Sequence, residues 1–306
     1  MSVSPVSFTS VLSDTSIPLI IGELKPTPAE EWRRMLRFVG WSSQDRMAMS
    51  RSLETLFRRG HELVVNTYEH LQHVPETAAV LGWDQGVDPV HLEERRRFFT
   101  LWLTRTLGMD TSDEFANYLF RAGKSHAAHG PRHVHVPEAY VTASVGLVLS
   151  SFSQYLGEAG MPAEAISAAL AGWNKYLGVQ LNQMLFGYRI ACEFDEGRFK
   201  LPVRIFGILR PKVGVAECHI GVSAGATAET VLQKFFNYFP EGRQDALQII
   251  WSSEERPDSL WMDVKPSYRL RKGWRILLNG RELEHQSGLD CLVKQGDELS
   301  IFPPGR

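Results

Sequence analysis

Cysteine and net charge are both scarce in this chain. It has three cysteines among 306 residues, and Cys192, Cys218 and Cys291 show no paired spacing. This excludes a disulfide framework and a cysteine-based zinc site, and a reducing cytoplasm is the expected compartment. The formal net charge is −2, so no global basic field is present to hold nucleic acid or an anionic membrane.

Long apolar runs and common catalytic motifs are also missing. The apolar stretch at residues 17–21 is short and contains proline, so neither a signal peptide nor a membrane span is expected. No Gly-rich phosphate loop, serine elbow or His-Glu-x-x-His pattern occurs, so hydrolase and kinase functions have no support in the sequence. The chain instead has an ordinary globular composition, 43% hydrophobic and 22% charged, and a length that predicts two domains.

Apolar periodicity changes character at about residue 197. Residues 1–28 predict a flexible arm whose portion 18–21 docks on the protein. Between 29 and 197 the 3.6-residue period predicts an all-α domain, with long helices after Ser50, at 91–107, up to Gly130, from Pro137 and from Pro162. Beyond residue 197 the pattern predicts strands at 203–209, 217–222, 275–278 and 298–302, with a helix within 224–236.

His126 occupies the apolar stripe of one predicted helix. Phe115, Leu119, Ala122 and His126 lie at i, i+4, i+7 and i+11, so the imidazole faces the core. The Gly130-Pro131 pair predicts the end of that helix. From this spacing alone, His126 is either a hydrogen-bonded core histidine or a ligand to a buried iron.

The residues around His126 resemble the proximal-histidine region of globin-coupled sensors and protoglobins. In these families a histidine is followed four residues later by glycine and then by a Pro-x-x-Tyr helix start, which here are His126, Gly130, Pro137 and Tyr140. The resemblance implies a globin fold over residues 29–197, with haem b as cofactor and His126 as the proximal ligand of its iron.

The resemblance also implies residues on the other walls of a haem pocket. Tyr68 matches a tyrosine that donates a hydrogen bond to bound oxygen, although Thr67 stands where the sensors have phenylalanine. A buried core tyrosine remains the alternative. The other expected cofactor-binding residues are Tyr140 and, in the helix 91–107, Phe99, Trp102 and Leu103. The positions of these last three are equally those of ordinary core residues.

The C-terminal region carries four separated signatures in order. They are Val203-Arg-Ile-Phe-Gly207, Gly225-Ala-Thr227, Leu278-Asn-Gly-Arg281 and the segment from Lys294 to Pro304. Together they resemble the ubiquitin-like β-grasp sulfur carriers of the MoaD/ThiS type. The resemblance implies an α+β β-grasp domain over residues 198–306, with an insertion at about 242–273 that has no counterpart.

The expected function is reversible binding of oxygen, carbon monoxide or nitric oxide by a sensor that signals through its β-grasp domain, rather than an enzyme. The resemblance implies a homodimer formed by the last two globin helices, and a protein partner of the β-grasp domain. One alternative is a sulfur carrier or molybdenum-cofactor component, which requires a terminal Gly-Gly, whereas the chain reads Gly305-Arg306. Further alternatives are a haem-dependent catalyst, a haem-free interaction module, and a zinc site at His126, His129, His133 and His135.

Overall fold

A computed structural model describes residues 17–255 and 262–305 of the chain. These residues form two compact units, one of residues 26–193 and the other of the segment ending at Lys25 together with residues 194–306. The first 16 residues of the expected arm, residues 256–261 of the expected insertion, and Arg306 lie outside the described part.

Four helices of the first unit, α1 Pro28–Phe38, α2 Ser43–Ser50, α6 Pro89–Leu107 and α7 Asp113–His126, begin at a side-chain cap. Thr27 and Glu30 form a reciprocal capping box, Asp88 accepts from the Val90 amide, and Ser112 accepts from the Phe115 amide, so amides that lack an intrahelical partner are satisfied. No helix of the described residues is long and apolar enough to cross a membrane. The helices are α1 Pro28–Phe38, α2 Ser43–Ser50, α3 Leu53–Arg58, α4 Gly60–His73, α5 Pro75–Val80, α6 Pro89–Leu107, α7 Asp113–His126, α8 Glu138–Glu158 and α9 Ala163–Asp195.

Two helix boundaries differ from the sequence prediction. The helix expected after Ser50 is divided into α3 and α4 at Arg59, whose backbone leaves the helical region. The helix expected to continue to Gly130 ends at His126, because Ala128 adopts a positive φ of 70° and Ala127 bridges to His135. The turn before Gly130 therefore belongs to a loop.

Helices α7 and α9 cross with their backbones in close contact. A Cβ atom on Gly123 would stand 1.8 Å from the Met184 carbonyl oxygen, and one on Gly187 would stand 2.0 Å from the Phe120 carbonyl oxygen. Only glycine fits at either position, because any larger residue would overlap the facing backbone. This close contact holds α7 against α9 at a point one helical turn before His126.

The second unit contains a five-stranded sheet, whose strands in spatial order are β3 Glu217–Val222, β2 Phe199–Ile205, β8 Leu299–Phe302, β6 Arg275–Leu278 and β7 Arg281–Glu282. The first and last of these strands along the chain, β2 and β8, pair in parallel at the centre, and the other pairs are antiparallel. The helix α11 supplies Val231, Leu232, Phe235 and Phe236 to the core. This arrangement is the β-grasp fold, so the predicted fold class of an all-α domain followed by an α+β domain is confirmed. Its elements are β2 Phe199–Ile205, α10 Leu209–Val213, β3 Glu217–Val222, α11 Ala228–Tyr238, α12 Arg243–Ala246, β6 Arg275–Leu278, β7 Arg281–Glu282 and β8 Leu299–Phe302.

The strand predicted at 203–209 is shifted toward the N-terminus. Strand β2 ends at Ile205, and Gly207 has a positive φ of 55° with Pro303 against it. Leu209 then begins the short helix α10. The glycine turn therefore ends the strand four residues earlier than its apolar pattern suggests.

A second, smaller sheet completes this unit. The strands β4 Leu247–Glu255 and β5 Met262–Leu270 form a long hairpin, and β1 Ile20–Ile21 pairs with β5 in the order β1-β5-β4. Leu19, Ile21 and Leu24 are buried in the core of the β-grasp unit. The first strand that the structure describes therefore belongs to the same unit as the C-terminal residues.

Candidate functional site

A cavity of about 1140 Å³ lies within the helical unit. Its volume lies slightly above the range typical of small-molecule and cofactor pockets, about 300–1,000 Å³, so it has room for a large cofactor. The wall is formed by α4, α6, α7 and the loop that follows α7. It includes His61, Val64, Phe98, Leu101, Thr104, Tyr118, Ala122, Ser125, His126 and the segment 130–134.

His126 contributes to this wall from the last position of α7. Its Nδ1 lies 2.7 Å from the Ala122 carbonyl oxygen. A carbonyl oxygen only accepts, so Nδ1 carries the proton and donates it, while Nε2 keeps its lone pair. A histidine that ligates a metal commonly donates its other ring N–H to a backbone carbonyl in this way.

The protein also keeps His126 neutral. The ring is half-buried because part of its surface lines the cavity. Burial lowers the pKa of His126, and the charge of Arg95 lowers it further, against the opposing effect of the Ala122 hydrogen bond. Neutral imidazole is the form that binds iron or another metal.

Three other predicted site residues lie in the core beside the cavity rather than on its wall. The Tyr68 hydroxyl donates to the Arg95 carbonyl oxygen at 2.9 Å, and its ring packs edge-on against Trp83 and Phe99. Trp102 packs against Phe99 and donates from Nε1 to Gln180 Oε1 at 2.8 Å. Tyr68 nevertheless follows cavity-lining Val64 by one turn of α4.

Leu103 and Tyr140 have different surroundings. Leu103 is buried and lines a small adjoining pocket of about 170 Å³, which shares His61, Val64, Thr100 and Thr104 with the main cavity. Tyr140 lies in the first turn of α8, and its amide donates to the Pro137 carbonyl oxygen. It is half-buried and does not line the main cavity.

Sequence reasoning missed the apolar residues of α6 that do line the cavity. Phe98 and Leu101 are 58% and 48% exposed, and both belong to the wall. They lie three residues apart on the face of α6 that also carries arginines. A helix face rich in arginine is typical of a surface exposed to solvent. The available signal was this pair of large apolar residues on an otherwise charged face.

The cavity wall also carries arginines of α6. The Nε atom of Arg96 is buried and has no hydrogen-bond partner among the described residues, while Arg96 and its neighbours Arg95 and Arg97 line the cavity. An orphaned buried donor beside apolar and aromatic groups and a neutral imidazole is the donor set that a haem requires, since haem combines an apolar ring, an axial iron and carboxylates. The described residues fit this group.

The other histidines do not assemble a separate metal site. His133 lines the cavity, and its Nδ1 lies 3.1 Å from the Ala128 carbonyl oxygen. His135 shares a 2.8 Å hydrogen bond with the Tyr188 hydroxyl. Within the part of the chain that the structure describes, no group of three or more His, Cys, Asp or Glu residues is placed to hold a metal ion.

A helical unit with a cofactor-sized cavity and a backbone-anchored histidine on its wall has the features that a haem-binding globin requires. A family model described as Protoglobin matches residues 29–191, more than half of the 306-residue chain. The chain belongs to the protoglobin family. The predicted family resemblance is confirmed, and a haem cofactor follows from it. No curated protein sequence matches the chain.

Three solved structures resemble part of the chain. SAMP1 from Haloferax volcanii is 20% identical, with 35% of this chain and 96% of that chain covered and a TM-score of 0.26. The small archaeal modifier protein 1 from Methanosarcina acetivorans is 25% identical, with the same coverage and TM-score. The Haloferax volcanii HVO 2177 protein is 23% identical, with 37% and 89% covered and a TM-score of 0.27. The β-grasp assignment rests on the strand order given above.

Proposed function

We propose that this protoglobin binds oxygen or another diatomic gas reversibly, with His126 as the proximal ligand of haem b. The observation that carries the proposal is the His126 ring on the cavity wall, with Nδ1–H bonded to the Ala122 carbonyl oxygen. That hydrogen bond orients the ring and raises the basicity of Nε2. When bound, haem would supply an iron atom that binds a diatomic gas.

The chain's own residues shape the rest of the site. Phe98 and Leu101 give the α6 side of the cavity an apolar surface that favours a porphyrin ring over water. Tyr68 is the proposed hydrogen-bond donor to the gas. Its hydroxyl now donates to the Arg95 carbonyl oxygen, so the role requires that it exchange one acceptor for another.

The β-grasp unit is proposed as the output of a sensor. The helix α9 ends at Asp195, and its residue Phe194 already belongs to the β-grasp unit, where the centre of its ring lies 4.1 Å from that of Tyr238. The proposal includes a homodimer through α8 and α9, supported by Gly146 and Gly178, which are exposed within these helices and have open space beside them.

The test is an absorption spectrum of the purified full chain in ferric, ferrous and carbon monoxide-treated forms. The wild type is expected to show a Soret band that shifts with carbon monoxide, and His126→Ala to lose or strongly alter it. His133→Ala is the matched control, because it removes another imidazole from the same cavity wall and should keep the band. Circular dichroism confirms that each variant is folded.

Two outcomes contradict the proposal. A wild-type protein that stays colourless after haem supplementation has no gas-binding centre. A His126→Ala variant whose spectra match the wild type in all three forms shows that another residue ligates the iron. If His133→Ala alone loses the band, His133 takes the role assigned here to His126.

A further inference from the structure

Arg96 has a polar atom that the protein leaves without a partner. Its Nε is fully enclosed, yet none of the described residues accepts a hydrogen bond from it. An enclosed donor on a charged group is costly when it is unpaired. Because Arg96 lines the main cavity, a turn of its side chain would bring this enclosed donor to an acceptor on a molecule bound there.

Arg95, the preceding residue on α6, also lacks a partner of opposite charge. Its Nε donates to Nε2 of His91 at 2.8 Å, and burial lowers the pKa of its guanidinium. A neutral histidine satisfies one N–H but does not neutralise the charge. Among the described contacts, no carboxylate lies within ion-pair distance of Arg95 or Arg96, whereas Arg132 on the same wall pairs with Glu94 at 2.7 Å.

The charge of the wall favours a ligand with more than one negative charge. With Arg132 and Glu94 paired to each other, the remaining charged residues of the lining are four arginines and one glutamate. These are Arg95, Arg96, Arg97, Arg121 and Glu93. Guanidinium groups bind carboxylates through two parallel N–H donors, which gives both strength and a defined orientation.

We propose that Arg95 and Arg96 form the site that receives the two propionate carboxylates of haem, and that His91 is the residue that positions Arg95. The proposal rests on the haem-binding function proposed above. His91 is buried and packs edge-on against Trp83, so the nitrogen that accepts from Arg95 is held in a fixed place. The pair of arginines thereby determines which edge of the porphyrin lies against α6.

The experiment measures the rate at which haem leaves the full-length protein for an excess of a haem-scavenging apoprotein. It uses the wild type, Arg96→Gln and Arg96→Lys, each loaded with haem or with haem dimethyl ester, whose propionates carry no charge. Arg37→Gln is the matched control, because it removes the same charge from an exposed position on α1 that does not line the cavity.

The expected result is that Arg96→Gln loses haem about tenfold faster than the wild type, the effect of one charge-assisted hydrogen bond. Arg96→Lys should lie between the two, and Arg37→Gln should match the wild type. With the dimethyl ester, wild type and Arg96→Gln should lose their ligand at the same rate. If Arg96→Gln does not fold, the wild type alone gives the test, since it should lose the ester, which lacks both carboxylates, at least about tenfold faster than haem.

His91 is tested by rescue. His91→Leu removes the acceptor for Arg95 and should speed the loss of haem but not of the ester. His91→Gln supplies an amide oxygen as acceptor and should restore the wild-type rate. Equal rates for His91→Leu and His91→Gln would show that His91 acts only through packing.

The proposal is overturned if Arg96→Gln releases haem at the wild-type rate, or if its excess rate persists with the ester. Both results leave haem binding by His126 intact. A wild-type chain that takes up neither porphyrin instead contradicts the proposed function itself, so the two failures are distinguishable.

Discussion

Gly123 of α7 faces the Met184 carbonyl oxygen of α9 so closely that a Cβ on the glycine would stand 1.8 Å from it. The two helices therefore meet backbone to backbone, without a side chain between them. Since Gly123 precedes His126 by one helical turn, the crossing holds the end of α7 against α9. A displacement of α7 must either separate the helices or move α9 with it.

Gly123→Ala is expected to destabilise the protein by about 1–3 kcal/mol, because the added methyl group overpacks the crossing and forces the helices apart. Gly157→Ala is the control, since its Cβ would meet nothing within 4 Å in α8, and it should be neutral or stabilise by up to about 1 kcal/mol. Chemical denaturation of both variants gives the comparison. Equal stability of Gly123→Ala and the wild type would show that the crossing adjusts freely.

Tyr68→Phe tests whether Tyr68 donates to the bound gas. The substitution keeps the ring that packs on Trp83 and Phe99 and removes the hydroxyl that now donates to Arg95. If Tyr68 is the donor, oxygen should dissociate about tenfold faster, because a tenfold change corresponds to the free energy of one hydrogen bond. Carbon monoxide, a poorer acceptor, should dissociate at an almost unchanged rate, and stopped-flow ligand replacement measures both. An unchanged oxygen rate would make Tyr68 a core residue only.

Acid is expected to destabilise the haem-free protein through His91. Burial, followed by the charges of Arg95 and Arg132, lowers the pKa of His91 in the folded state. In the unfolded chain the pKa of a histidine is about 6.5. Below that pH the unfolded state binds more protons than the folded state, so stability falls as pH falls toward the lowered pKa. His91→Gln, which cannot titrate, should lose less stability between pH 7.5 and pH 5 in denaturant titrations. Parallel losses in both proteins would contradict the assignment to His91.

Gly146→Arg tests the proposed dimer. Gly146 is exposed in α8 and has open space around it, so a single chain accommodates the long side chain, whereas a close helix–helix interface does not. The wild type is expected to sediment as a dimer and the variant as a monomer with an unchanged Soret band. Gln44→Arg, at an exposed position of α2, should remain dimeric. A monomeric wild type would contradict the proposal.

His126 could be predicted from the sequence as a candidate haem ligand, because every sequence feature that points to it lies in one short stretch. The apolar stripe of α7, the glycine after it and the Pro-x-x-Tyr start of α8 are local features, and the structure places His126 on the wall of the cavity. The same periodicity predicted the buried face of α6, where Leu103 is 4% exposed. It did not predict the cavity face, because Phe98 and Leu101 are apolar residues among arginines.

Features that depend on distant pairing were not predicted. Gly123 and Gly187 match across two helices, and neither carries a side chain that a periodic pattern registers. The two-residue strand β1 is too short to show alternation, and its pairing with β5 comes only from the fold. Register and helix crossings depend on tertiary contacts that one sequence does not encode locally.

The pairing of β1 with β5 determines the order in which the two units can fold while the chain is being synthesised. Residues 17–25 leave the ribosome before the globin unit, yet Leu19 and Ile21 are buried only when the hairpin β4–β5 and the helix α11 have been made. Since domains generally fold as units during synthesis, the globin is free to fold first while this segment waits. The β-grasp unit then closes last, around the first described strand of the chain, so a nascent chain stalled before residue 270 should carry a finished globin and an open β-grasp core.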